Sequence, residues 1–390
     1  MNRTIQLSTP FLLAACLNVS CTSPEKKVQV QAGWQGPMQN MAVDVKKLVP
    51  FIYDRDAYLD PKNHEQILAH LREFAQAAHT VSPEAGKKFL GDDLLIEYSL
   101  RNLKEDLNRA AYSFHVGQKD FSRTTAKASL NHCFRCHSVT QVGGGSAWDL
   151  DVTNLKLQPL EKADLLVASR KTDKALSYME AMLNSGEMQK NYAFDFESLL
   201  RRYLALIIRV ENAPQRALVE LNKVLSNSDT PHYILEQGNG WRASLKAWAA
   251  EKKKPPFNTP KQVFKELEAR FTKAEAIQHY EKDHAGDVEY LRATATLHQG
   301  MKLMKKPADQ VRALFLLGKA YEVLDELGSW NLHESYYEAC LLKDPKAELA
   351  KTCYNRLEAS LYMGYSGTSG THLPPEERQR LQKLKEKIVN

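Results

Sequence analysis

The chain lacks several features that would each assign it to a functional class. No run of eighteen uninterrupted apolar residues occurs anywhere in its 390 residues, so the sequence predicts no mature transmembrane helix. Charge of one sign is not in excess. The 53 basic residues stand against 47 acidic ones, the net charge is +6, and the longest basic run is only Lys252-Lys253-Lys254. Such a balance describes an ordinary solvated surface and argues against nucleic acid as a partner. Spacing supports no phosphate-cradling glycine loop and no Ser-His-Asp arrangement, so enzymatic activity is not expected. Cysteine is sparse, with 6 in the chain, and falls in three pairs: Cys16 with Cys21, Cys133 with Cys136, and Cys340 with Cys353. At 43% hydrophobic the chain can bury substantial cores and is long enough for two or three domains.

The middle pair lies in Asn131-His132-Cys133-Phe134-Arg135-Cys136-His137-Ser138, which contains Cys-x-x-Cys-His, the spacing of covalent c-type haem attachment. The geometry explains the spacing. Two thiols on one helical turn can each add across a haem vinyl group to form a thioether, and the adjacent His137 is then held under the iron as proximal ligand. A zinc site would need a second ligand pair at matching spacing, and Cys340 and Cys353 lie far downstream and far apart. A thioredoxin-like redox pair would need a strand-to-helix junction, and no strand run precedes the motif between Phe121 and Val139.

The N-terminus is polar at Met1-Asn2-Arg3 and apolar through Phe11-Leu12-Leu13-Ala14-Ala15 up to Cys16, the pattern of a short secretory leader. Leu13-Ala14-Ala15-Cys16 resembles the lipobox of bacterial lipoproteins, which implies lipidation at Cys16, with Cys21 in reserve; plain cleavage of the leader is the alternative. In bacteria c-type haem is attached outside the cytoplasm, so the motif implies export to the periplasm or cell envelope, with membrane attachment through the lipid alone.

After a polar stretch, apolar positions recur every three or four residues in four successive segments. Met38, Met41, Val45, Leu48 and Ile52 mark a helix over 37–53 that Pro50 should kink or end. Ile67, Leu71, Phe74 and Ala78 mark a second, capped by Asn63. The third begins at Asp92 or Asp93, carries Leu95, Tyr98, Leu103, Leu107, Ala110 and Phe114, and stops at Gly117. The fourth is expected to run unbroken from Asp120 through Leu130 into the cysteine motif, before Gly143-Gly144-Gly145-Ser146 breaks every periodicity.

Four amphipathic helices ending on Cys133-Phe134-Arg135-Cys136-His137 resemble cytochrome c′ and its cytochrome c556 relatives, over roughly residues 37–142. The resemblance implies one covalent haem c, a bundle fold, and pairing of bundles into a homodimer. It also implies that a first-helix residue faces the distal side of the iron. Met41 fits that position, with Met38 in reserve; a methionine there gives a low-spin electron carrier, whereas an apolar blocking residue gives a gas-binding site. His64, His70, His79, His115 and His132 are the competing donors in this region, and an apolar helical face is itself a common place for a core methionine.

From Leu155 onward the pattern is of helical hairpins. Arg201, Leu204, Ala205, Ile208, Ala217, Leu221 and Val224, and again Leu314, Leu317, Gly318, Tyr321, Tyr337, Cys340 and Pro345, resemble degenerate tetratricopeptide units, with an irregular helical bundle as the alternative. Stacked hairpins imply a concave face for a protein partner. Glu251-Lys252-Lys253-Lys254-Pro255-Pro256 reads as a solvated loop between units. Cys340 and Cys353 flank the turn at Asp344-Pro345-Lys346, where they either close a disulfide in an oxidising compartment or pack as small buried residues.

The sequence therefore predicts an all-α chain: leader 1–21, tether 22–36, haem-binding four-helix bundle 37–142, linker 143–154, helical repeat domain 155–365, and a tail 366–390 with a terminal helix. The function expected is one-electron transfer by an exported monohaem cytochrome docked to a redox partner through its repeats. The alternatives are a gas-binding or gas-sensing haem protein with an open distal site, and a non-catalytic envelope assembly protein.

Overall fold

Apolar stripes at helical spacing leave each segment with one face to bury, and helices packed on helices are how the chain buries them. The structure, a computed structural model, describes residues 35–82, 84, 93–139, 150–252, 255–281, 283–324 and 331–389. Among these residues the chain is all-α apart from one two-stranded antiparallel ribbon, β1 (Ser366–Gly367) with β2 (Gly370–Thr371). Cys16 and Cys21, the leader, nearly all of the tether and the glycine run at 143–146 lie outside the described residues. No described helix is long and apolar enough to cross a membrane.

The first helix, α1 (Gln35–Ile52), contains Pro50 and ends two residues beyond it. It buries Met41, Val45, Leu48 and Ile52 as the stripe requires. Asp54 then caps a short helix not anticipated from the pattern, α2 (Arg55–Leu59), by accepting from the backbone N–H groups of Asp56 and Ala57. In α3 (His64–Thr80) the expected Asn63 cap is not made; the Asn63 amide donates instead to Ala57 O at 2.9 Å, because the preceding 3₁₀ turn points it backwards. Asp93 does cap α4 (Leu94–His115), accepting from Leu95 N–H at 3.0 Å, and Gly117 follows in the left-handed region at φ 85.

The fourth expected helix is two. It divides into α5 (Lys119–Ser129) and α6 (Asn131–His137), with Leu130 as the joint. There Leu130 N–H turns to Lys127 O at 3.2 Å, a tightened 3₁₀-type bond, while Ser129 Oγ donates back to Ala126 O at 2.7 Å. Helix α6 rests on α4 and on α7 (Pro159–Ala168). A buried hydroxyl pair holds the rest: Tyr58 OH and Ser122 Oγ lie 2.7 Å apart, and Ser122 donates to Ala110 O.

The remaining helices follow in order and pack on one another around the large core. They are α8 (Thr172–Asn184), α9 (Glu187–Asn191), α10 (Ala193–Leu206) with a π-turn at Ile207–Glu211, α11 (Pro214–Ser226), α12 (His232–Ala249) and α13 (Pro260–Ile277). After these come α14 (Asp287–Gly300), α15 (Pro307–Val323), α16 (Leu332–Lys343), α17 (Glu348–Gly364) and α18 (Pro375–Val389). Cys340 on α16 and Cys353 on α17 form a disulfide across the turn. Glu251 is not a solvated loop residue. Arg270 and Arg292 reach its carboxylate at 2.9 and 2.7 Å and, against burial that alone would raise it, pull it down to about 2.

Gly318 marks a close helical approach. A Cβ built there would lie 2.5 Å from the Tyr337 ring, so α15 and α16 meet only because position 318 has no side chain. Gly318→Ala is expected to cost about 1–3 kcal/mol by overpacking, read as a lower urea midpoint. An unchanged midpoint would mean that the tyrosine swings aside freely.

The packing clusters do not divide at the expected linker. Leu95, Tyr98, Phe134 and Val139 belong to the large cluster built by α7 to α18, while Leu150 and Leu165 join the smaller cluster of α1, α3, α4 and α5. Helix α6 therefore sits at the seam between two cores.

Candidate functional site

Residues 131–137 form two helical turns, so Cys133, Cys136 and His137 share one side of α6. Phe134, which points the other way, is buried in the large cluster beneath the Arg202 guanidinium at 5.2 Å. Opposite it, Cys133 borders the small cluster that contains Met41, with Met38 packed at the edge of the same cluster. The cluster brings Met41 and Cys133 to one apolar region.

His137 is fixed by the end of α7. That helix finishes in a Schellman motif: Arg170 N–H donates to Val167 O at 2.8 Å and Lys171 N–H to Leu166 O at 2.9 Å. The next carbonyl, Ala168 O, lies 2.8 Å from His137 Nδ1. A carbonyl can only accept, so Nδ1 carries the proton and Nε2 keeps its lone pair. Burial, assisted by the Arg170 charge, pushes the imidazole down to about 3, so it is neutral at physiological pH. This is the tautomer and orientation that metal-ligating histidines adopt, with the second ring nitrogen held by a backbone carbonyl.

The thiols are equally defined. Both are free and part-buried. Burial, with Cys136 as a close neighbour, pushes Cys133 up to about 12, and burial raises Cys136 as well. A disulfide-exchange pair is activated by a depressed pKa, and this one is the reverse.

The competing histidines are engaged elsewhere. His132 bonds Asp106 at 2.9 Å and Arg135 at 3.2 Å, tying α6 to α4. His64 stacks on Phe114, His70 faces Glu73, His79 meets Asn108, and His115 is exposed. Among the described residues no three His, Cys, Asp or Glu side chains converge as a metal-binding set.

Beside the motif lies a buried polar network that sequence patterning did not reveal. Asp93, fully buried at the start of α4, accepts from Leu95 N–H and from Tyr336 OH at 2.7 Å, and pairs with His298 Nδ1. His298 Nε2 in turn lies 2.7 Å from Tyr321 OH. The Tyr321 and Tyr336 rings stack at 5.7 Å, and Arg209 covers Tyr321 while donating to Thr294 Oγ1. Burial alone would raise the Asp93 carboxyl; His298, the amide and the tyrosine hydroxyl together hold it below the usual range. The only sequence signal was the capping position of Asp93. Its partners come from helices far along the chain, which periodicity cannot align.

The motif thus presents two protonated thiols and one neutral, oriented imidazole on the same side of a helix. No family model matches the chain, and neither a curated protein nor a solved structure is similar to it.

Proposed function

We propose that this protein is a monohaem c-type cytochrome that transfers single electrons, with Cys133 and Cys136 as thioether anchors and His137 as the proximal ligand. The observation that carries the reading is the 2.8 Å bond from His137 Nδ1 to Ala168 O, which leaves Nε2 as a lone-pair donor beside both thiols. A haem bound here would supply a one-electron iron couple. The chain's own residues supply the rest. The carbonyl fixes the imidazole plane, the two cores leave the thiols and His137 only part-exposed, and the buried position of Met41 in the cluster that Cys133 borders supports it as the sixth ligand, with Met38 in reserve.

In this reading α1 and α3 to α6 are a variant of the cytochrome c′ and c556 bundle, the hairpins from α7 onward are a tetratricopeptide-like docking domain for a redox partner, and the protein works in the bacterial periplasm or envelope. The test is the full chain produced in a host competent for cytochrome c maturation. A haem stain on a denaturing gel and a ferrous spectrum with a six-coordinate low-spin signature support the reading. A polypeptide of bare mass with both thiols free overturns it.

Methionine ligation has its own test. Met41→Ala should open the distal face and give carbon monoxide binding that the parent protein lacks. If the parent already binds carbon monoxide and Met41→Ala changes nothing, the site is an open, gas-binding one.

A further inference from the structure

We propose that Arg170 is a potential-setting residue: its fixed positive charge beside His137 favours the ferrous over the ferric state of the iron. The inference rests on the haem reading above and deepens it.

Three observations lead there. First, Arg170 occupies the C′ position of the Schellman motif at φ 56, a left-handed conformation that glycine adopts without cost and an arginine does not. The backbone requirement alone would select glycine or asparagine. Second, the position is two residues past the carbonyl that holds His137, and the guanidinium acts electrostatically on both His137 and Cys136. Third, among the described residues the Arg170 side chain has no carboxylate and no ring partner, although it is part-buried. The neighbouring cations differ: Arg202 pairs with Asp164 at 2.9 Å, and Arg135 bonds His132 and lies over the Tyr98 ring at 5.0 Å. Among the described residues, Arg170 is thus a cation with no carboxylate partner that stands two residues from the carbonyl holding His137.

The electron balance gives the sign. Reduction adds one electron and no proton, so the net charge of the site falls by one. A nearby fixed cation stabilises the more negative product, and part-burial weakens the solvent screening that would otherwise mute it.

The experiment is an equilibrium redox titration of the full, haem-loaded chain and of Arg170→Gly, Arg170→Gln and Arg170→Lys. Arg170→Gly relieves the left-handed strain, so it should unfold no earlier than the parent while its ferrous to ferric ratio at a fixed potential falls at least tenfold, about 59 mV for one electron. Arg170→Gln should shift the same way, and Arg170→Lys should stay close to the parent. The stability and the potential thus move in different directions, which a purely structural role would not produce. Fully loaded Arg170→Gly and Arg170→Gln proteins with the parent's potential would overturn the assignment and leave the haem reading intact. A parent chain that carries no haem would overturn the reading itself.

Discussion

Replacing Cys133 and Cys136 together by alanine is expected to abolish covalent porphyrin altogether. Each thioether comes from one thiol, and among the described residues the other cysteines, Cys340 and Cys353, are consumed in their own disulfide. Single replacements should retain one link each and stain more weakly than the parent. The denaturing gel, where non-covalent haem is lost, reads this directly, and intact-mass measurement gives the number of links. The raised thiols supply a second readout in protein made without maturation. With Cys133 pushed up to about 12, almost no thiolate exists at neutral pH, so alkylation should be far slower than for an exposed cysteine. Rapid alkylation, together with ready formation of a Cys133–Cys136 disulfide, would point instead to thiol redox chemistry. A double variant that still carried covalent haem would defeat the assignment of both anchors.

Asp93→Ala is expected to be among the most destabilising single changes in the chain, at about 3–5 kcal/mol. The carboxylate accepts from Leu95 N–H, His298 and Tyr336, and its removal leaves those donors buried without an acceptor. The loss should also depend on pH. The folded-state pKa of Asp93 lies below the ordinary carboxylate value of 3.8, so the ionised form is the one that folding stabilises. Its contribution is complete above that ordinary value and disappears as pH falls through the lower folded value. Urea melts at pH 7 and at pH 3 should therefore show a parent-to-variant gap that narrows in acid. A gap below about 0.5 kcal/mol at pH 7, the usual size for a surface substitution, would show that the network is incidental. Tyr321→Phe, which removes one hydroxyl at the far end of the chain of bonds, should cost about 1 kcal/mol.

The two predictions meet at α6. Asp93 anchors the first turn of α4, α4 supports α6, and the partners of Asp93 sit on α14 and α16. A domain reading with a linker at 143–154 treats the cysteine motif as the end of a separate bundle. Packing instead places Phe134 and Val139 in the same core as Leu204 and Tyr321. The helices from α7 onward are thereby in direct contact with the helix that carries the motif.

Local rules account for what was legible in advance. Helical periodicity identified the stripes of α1, α3 and α4, a start for the third at Asp92 or Asp93 and the stop at Gly117, because each depends on residues within a turn or two. It failed at Leu130, where an unbroken stripe hid the end of one helix and the start of another: hydrogen bonds among Ala126, Lys127, Ser129 and Leu130 decide the break, and no glycine or proline announces it. It missed the cap that Asn63 does not make and the burial of Glu251 for the same reason, since both depend on where neighbouring segments arrive.

By itself the sequence determined that the chain is helical and that Cys133, Cys136 and His137 share one side of a helix, since positions three and four apart on a helix face the same way. Only the tertiary structure decided which tautomer His137 adopts, which charge stands beside it and what lies beneath α6. Those properties come from Ala168, Arg170, His298 and Tyr336, residues separated from the motif by 31 or more positions in the case of the His137 to Ala168 bond. Electrostatics and hydrogen bonding act through space, and the chain order carries no record of those distances until the helices have packed.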